Sequence, residues 1–137
     1  MKNHHGCPVQ ATSNVISGKW KVLILWHLSF QTYRFSELRE LLSGVSEKVL
    51  TAQLRELESD GLVLRTSAHT TPPRVDYRLT DAGEQLIPIM EQMCGWAVTH
   101  LRVTPTLRPR NVTTMTPAVP AAEPATHKTR RGQLLAE

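Results

Sequence analysis

Residues 36–61 read SELRELLSGVSEKVLTAQLRELESDG. Ser36, a hydroxyl residue suited to an N-cap, precedes Glu37 to Leu42, barely two helical turns that stop at Ser43-Gly44. Val45-Ser46 restarts the chain. From Ser46 onward Leu50, Leu54 and Leu57 fall at i, i+4 and i+7, and Asp60-Gly61 closes the run with the residue type that best tolerates a left-handed cap. Two short helices joined by a turn containing glycine form the helix-turn-helix pattern. At about 100° per residue, turning the three leucines inward sends Lys48, Ala52, Arg55 and Ser59 to the opposite face, with Thr51 at its edge.

Working back from this segment, Pro8 suits a first helical position and Gly18 a helix end, so a helix is expected over residues 8–16. A second, from Lys19 to about Ser29, carries Trp20, Leu23, Ile24, His27 and Leu28 at helical spacing, with Val22, Leu25 and Trp26 on other faces. It reads as buried nearly all round. Working forward, the period changes from 3.6 to 2. Residues 62–66 are aliphatic and β-branched, Thr70-Thr71-Pro72-Pro73 breaks the run, and residues 74–79 alternate polar with apolar, which predicts a hairpin with a stiff tip. Thr80-Asp81 then caps a last helix bearing Leu86, Met90, Met93, Ala97 and Leu101, with Ile87, Cys94 and Val98 beside them. Pro88 predicts either a kink or a helix that begins near Ile87.

The order helix, helix, short helix, turn, helix, hairpin, helix is that of a mainly α winged helix-turn-helix with a small β-hairpin wing. The strings Cys7-Pro8, Gly18-Lys19-Trp20-Lys21, Arg34-Phe35-Ser36-Glu37-Leu38, residues 50–58, Asp60-Gly61-Leu62-Val63 and residues 72–80, in this order and spacing, resemble the HxlR family of bacterial transcriptional regulators. The resemblance covers about residues 7 to 101. It implies a MarR-like fold and a homodimer that binds an inverted-repeat operator on double-stranded DNA, repressing or activating a neighbouring gene, with repression the expected sign.

The face opposite the leucines agrees with that expectation. Ser46, Glu47, Lys48, Thr51, Ala52 and Arg55 are the groove-facing candidates; Arg55 or Lys48 can donate to guanine, and the methyl groups of Thr51 and Ala52 can meet a thymine methyl. Lys19 and Lys21 open a helix, where the backbone dipole disfavours cations unless a phosphate lies nearby, which makes both candidates for DNA-backbone contact. Ser36 and Arg39 sit on the first helix of the motif, which crosses the backbone in such domains. His69 and Arg74 flank the hairpin tip and can reach a minor groove or its phosphates, although Arg74 can equally pair with a neighbouring carboxylate.

Cys7 stands just before the first helix, where a thiol has a lowered pKa. The resemblance implies a sensor role, since some such regulators respond to oxidants, quinones or other electrophiles through a cysteine at this place. Cys94 reads as filler on the apolar flank of the last helix, with a bridge between Cys7 and Cys94 of the partner subunit as an alternative. A metal-responsive reading would use His4, His5 and Cys7, but this cluster lacks the paired spacing of a zinc site, so no metal and no cofactor is expected. No Gly-rich phosphate loop, nucleophile elbow or paired carboxylates in a pocket-forming loop are present, so an enzyme is not expected. A winged helix used purely for protein contacts is the other alternative.

Length and charge are consistent with this reading. The 137 residues suffice for one domain plus a tail. Up to Val103 there are 11 basic and 10 acidic side chains, and from Thr104 onward 5 and 2, so the net charge of +4 lies mostly outside the folded part. Any affinity for a polyanion must rest on where the charges sit. Residues 104–137 hold five prolines and seven threonines without period and read as a disordered tail ending in the basic cluster Lys128, Arg130 and Arg131; residues 1–6 read as flexible. No run suits a membrane span or a signal peptide, so a cytoplasmic, nucleoid-associated protein with reduced thiols is expected. The apolar faces of the first and last helices, with Val9, Leu86, Met90, Met93 and Trp96, are the expected dimer surface.

Overall fold

The structure, a computed structural model, describes residues 6–104. The expectations for the tail, its basic cluster, and His4 and His5 lie outside the described residues. The elements run α1 (Pro8–Val15), α2 (Lys19–Leu28), β1 (Tyr33–Arg34), α3 (Phe35–Leu41), α4 (Glu47–Ser59), β2 (Val63–Ala68), β3 (Arg74–Leu79) and α5 (Asp81–His100). The three strands form an antiparallel sheet in the order β1-β3-β2. β2 and β3 pair from Val63↔Leu79 to Ala68↔Arg74, which confirms the hairpin.

α2 is the centre of the core. Ile24 and Leu25 are fully buried and Trp26 and Leu28 nearly so, as expected for a helix apolar on all sides. Around it close Leu38 from α3, Leu50, Leu54 and Leu57 from α4, Val63, Tyr77 and Leu79 from the sheet, and Leu86, Ile87 and Met90 from α5. Each such aliphatic side chain contributes about 1.5–3 kcal/mol relative to leaving it in water.

Several local expectations change. β1 was not foreseen: it is two residues long, too short to show alternation, and exists because Tyr33 and Arg34 pair with Tyr77 and Asp76. Ser36 does not cap α3. The helix starts two residues earlier than expected, at Phe35, and its cap is Arg34, whose backbone N–H donates to the Glu37 carboxylate at 2.7 Å. Glu37 three residues on is the acidic half of a capping box, and it suffices to take the orphan N–H without a hydroxyl at the cap. Pro88 does not start α5, which runs unbroken from Asp81 to His100 through it.

The ends of α4 follow the sequence closely. Ser46 Oγ accepts from the Val49 N–H at 3.1 Å. At the other end Gly61, at φ 76°, permits Leu62 N–H to reach Leu57 O and Gly61 N–H to reach Glu58 O, both at 3.0 Å, which is a Schellman closure. Thr80 Oγ1 caps α5 by accepting from Gly83 N–H at 3.2 Å.

Candidate DNA-binding face and thiol site

α4 presents two unlike sides. Leu50 and Leu57 are fully buried and Leu54 is 1% exposed, while Ser46, Glu47, Lys48, Ala52 and Arg55 are exposed and Thr51 is half-buried. The rotation deduced from the leucine spacing is therefore the rotation found. The short α3 lies across the turn from it, and Phe35, Ser36, Arg39, Glu40 and Glu47 line a shallow open recess between the two helices. Arg39 Nη1 lies 3.4 Å from Glu47 Oε2, both side chains largely exposed. This pair places one positive charge beside the only acid in the groove-facing set and offsets its repulsion of a phosphate.

The remaining candidates separate. Lys19 is exposed at the start of α2 with its ammonium 4.5 Å from the centroid of the Trp20 ring. Lys21 is a correction: it is 6% exposed and its ammonium is paired with Glu56 on the flank of α4. Held in that way, its charge is directed at α4 and away from solvent. Two residues on from Lys19, the helix has turned by about 200°, so one lysine faces out and the other in. Lys21 instead fastens α4 to α2.

In the wing, His69 is exposed at the tip. Arg74 Nε donates to both carboxylate oxygens of Asp76, at 2.9 and 2.8 Å, so the carboxylate-pairing alternative describes the structure. Arg74 remains exposed while so held. On the outward face of the sheet Arg34 and Asp76 are register partners, as are Ala68 and Arg74, and Leu64 and Arg78. Arg34 and Arg78, missed from the sequence, thus share one sheet face with Arg74; the alternation of residues 74–79 carried the signal for Arg78, but only the pairing of β1 could place Arg34.

Of the expected dimer residues, Leu86 and Met90 are corrections. They are 8% and 4% exposed because the first half of α5 packs them into the chain's own core. Val9, Met93 and Trp96 stay exposed, at 77%, 49% and 57%. Ile89, half exposed, was missed. At about 100° per residue, Ile89, Met93, Trp96 and His100 form one stripe and Leu86, Ile87 and Met90 an arc about a quarter-turn away, so the split was present in the spacing. Trp96 and His100 are stacked with centroids 4.8 Å apart. Beyond Met93 the helix overruns the core, and Val98 and Leu101 are exposed as well. α1 buries no residue fully; only Val15, at its end, and Ile16 just beyond it pack on the core.

Cys7 is the N-cap of α1 and fully exposed. The backbone N–H groups of Gln10 and then Val9 stabilise its thiolate and pull its pKa below the ordinary value of 9.0. Cys94 is half-buried on the same helix as Met93 and Trp96. Among the described residues no group of three His, Cys, Asp or Glu side chains is placed to hold a metal, and no helix is long and apolar enough to cross a membrane.

Residues 15–105 match the family model described as HxlR-like helix-turn-helix. The chain belongs to the HxlR family. It is 42% identical over 106 residues to the HTH-type transcriptional regulator YybR of Bacillus subtilis, covering 77% of this chain and 85% of that protein. The redox regulator HypR in its reduced form superposes with a TM-score of 0.66 at 43% identity, over 68% of this chain and 92% of that one. A MarR-family transcriptional regulator from Porphyromonas gingivalis superposes with a TM-score of 0.66 at 31% identity, over 73% and 98%. The fold is thus the MarR-like winged helix, and this HxlR-family chain is a transcriptional regulator with a helix-turn-helix domain rather than an enzyme.

Proposed function

We propose that this regulator binds a pseudo-palindromic operator as a homodimer, acts as a repressor, and responds to an oxidant or small electrophile through Cys7. The observation that carries the DNA-binding part is α4. Its leucine side is consumed by the core, so Lys48, Thr51, Ala52 and Arg55 are left facing outward from a rigid helix, with the exposed wing beside it. A protruding helix with donors and methyl groups near its start fits a major groove. Arg39, Lys19 and Ser36 supply backbone contacts, and His69 with Arg74 supplies the wing's. Such a protein works in the cytoplasm, at the nucleoid.

The dimer reading rests on the apolar overrun of α5 and on α1, which together leave Val9, Ile89, Met93, Trp96 and Leu101 in water in the single chain. A second copy related by a two-fold axis covers them and sets two α4 helices about one DNA turn, roughly 34–36 Å, apart. The redox reading rests on the stabilised Cys7 thiolate, and on the similarity to HypR, itself a redox regulator. Hydrogen peroxide would take two electrons from the thiolate, leaving Cys7 as sulfenic acid and releasing hydroxide; condensation with a second thiol then forms a disulfide and releases water. A quinone would add to the sulfur directly. Either change beside the dimer seam alters the spacing of the two α4 helices.

Fluorescence anisotropy on the DNA upstream of the chain's own gene, with excess unrelated DNA and reductant, tests this. Nanomolar binding that survives the competitor and weakens after mild oxidant, with mass spectrometry showing an adduct or bridge at Cys7, is expected. Binding no tighter than to the competitor by a folded dimer would favour a winged helix serving protein contacts. An unmodified Cys7 after oxidant would end the sensor reading alone.

A further inference from the structure

The end of α4 and the start of α5 meet at one residue. Thr80 Oγ1 donates to Gly61 O at 2.6 Å, and Thr80 N–H donates to Leu62 O at 3.0 Å, so the two carbonyls that follow the Schellman closure of α4 are both taken by this residue. The same Oγ1 accepts from Gly83 N–H, which starts α5. Gly83 has to lack a side chain there: a Cβ would collide with the Leu62 carbonyl and crowd Leu79. The hydroxyl thus works in both directions at once, its proton on the end of one helix and its lone pair on the start of the next.

We infer that Thr80 is a positioning residue that locks the direction of α4 to α5, and so to the axis of the dimer. This rests on the DNA-binding reading above. The 13 residues of α4 span about 20 Å, so a pivot of about 5° at Gly61 moves the groove-facing end by about 1.7 Å, well beyond the tolerance of a bidentate base contact. The Lys21 pair with Glu56, about one and a half turns from the Gly61 pivot, and the buried Leu50 and Leu54 hold α4 on α2 and the core, and the Thr80 clasp sets the angle of that packed unit to α5. Movement of α5 passes to α4 through the Thr80 clasp rather than through the flexible turn that follows a helix end.

Two substitutions separate the two bonds. Thr80→Ser keeps both. Thr80→Asp keeps the acceptor that caps α5, in a position the helix dipole favours, but has no proton for Gly61 O and sets a carboxylate against it. In the full-length protein, anisotropy on the operator and on unrelated DNA is expected to leave Ser within twofold of wild type on both. Asp is expected to lose at least tenfold on the operator and less than twofold on unrelated DNA, with an unchanged dimer by sedimentation. Asp within twofold on the operator, or an equal loss on both DNAs, would overturn the assignment. Hydrogen exchange on the wild type gives a reading that needs no variant: the amides of Thr80, which donates to Leu62 O, and Gly83, which donates to Thr80 Oγ1, are expected to open together, and independent opening of Gly83 would overturn it. If the wild type shows no operator preference, the DNA-binding reading fails while the exchange result still judges the clasp.

Discussion

α4 and the distal half of α5 are both amphipathic helices, and they leave opposite residues in water. α4 spends its leucines on the core and shows solvent a polar face of mixed charge, with Lys48 and Arg55 among its glutamates. α5 buries Leu86, Ile87 and Met90, then overruns the core and shows solvent Met93, Trp96 and Leu101. A polar face on a rigid helix suits a hydrated, charged partner, whereas an apolar face suits another protein surface. In the proposed reading the regulator carries its two contacts on separate helices, joined at Gly61 and Thr80.

The largest expected effect falls on the buried side of α4. Leu54→Ala should cost about 2–5 kcal/mol of folding free energy, read by urea denaturation, because the cavity lies at the centre of the core. Leu101→Ala, on the overrun, should stay within about 0.5 kcal/mol in the dissociated chain. Equal losses would mean that the two helices are not so divided. Trp96→Asp should next leave the chain folded but monomeric by sedimentation, with at least a hundredfold loss on the operator, since one half-site alone remains.

These contrasts follow from features of unequal visibility in the sequence. The leucine spacing, the caps at Ser46 and Thr80 and the closure at Gly61 are local signals, and they placed α4 and its outward face correctly. Lys21, Leu86 and Met90 were misjudged because periodicity reports that a face is apolar or polar without saying how far the core extends along it. α5 outruns its core by about two turns, and only the packing of α2 and the sheet shows where that happens. β1 depends on pairing with β3, which a two-residue strand cannot announce, and the cap of α3 was missed because Glu37 follows an arginine at the cap rather than a hydroxyl residue. Nothing in the spacing singles out Gly83, because its need to lack a side chain comes from the Leu62 carbonyl packed against it.

Within the polar face, Arg55→Ala should cost about 1–3 kcal/mol on the operator and relax preference at one base pair, measured by anisotropy on single-substitution operators. Lys19 and Lys21 sharpen the distinction between reaching out and holding in. In a dimer, Lys19→Ala should reduce the slope of log affinity against log salt by about 1.8, two phosphate contacts' worth, whereas Lys21→Met should leave the slope unchanged and lower operator affinity through a looser α4. A slope change for Lys21→Met would show that its pair with Glu56 opens on DNA.

The smallest effect is an acid one. Burial holds the His27 pKa below its ordinary value of 6.5, so the folded state favours the neutral ring. The contribution is fully present above pH 6.5 and is lost as the pH falls through that value toward the lower folded-state pKa, because the unfolded chain takes up the proton first. His27→Gln should flatten the decline of stability below pH 6.5 in urea titrations, and an identical decline would place the sensitivity elsewhere.

The most direct test of the account is dimethyl sulfate protection of the operator by the reduced protein, which reports guanine N7 in the major groove. Two protected windows related by two-fold symmetry and centred one helical turn, or a multiple, apart are expected, with Arg55→Ala exposing a symmetry-related pair of guanines. A single window, or a pattern untouched by substitutions at Arg55 and Lys48, would contradict the claim that paired α4 helices read the DNA.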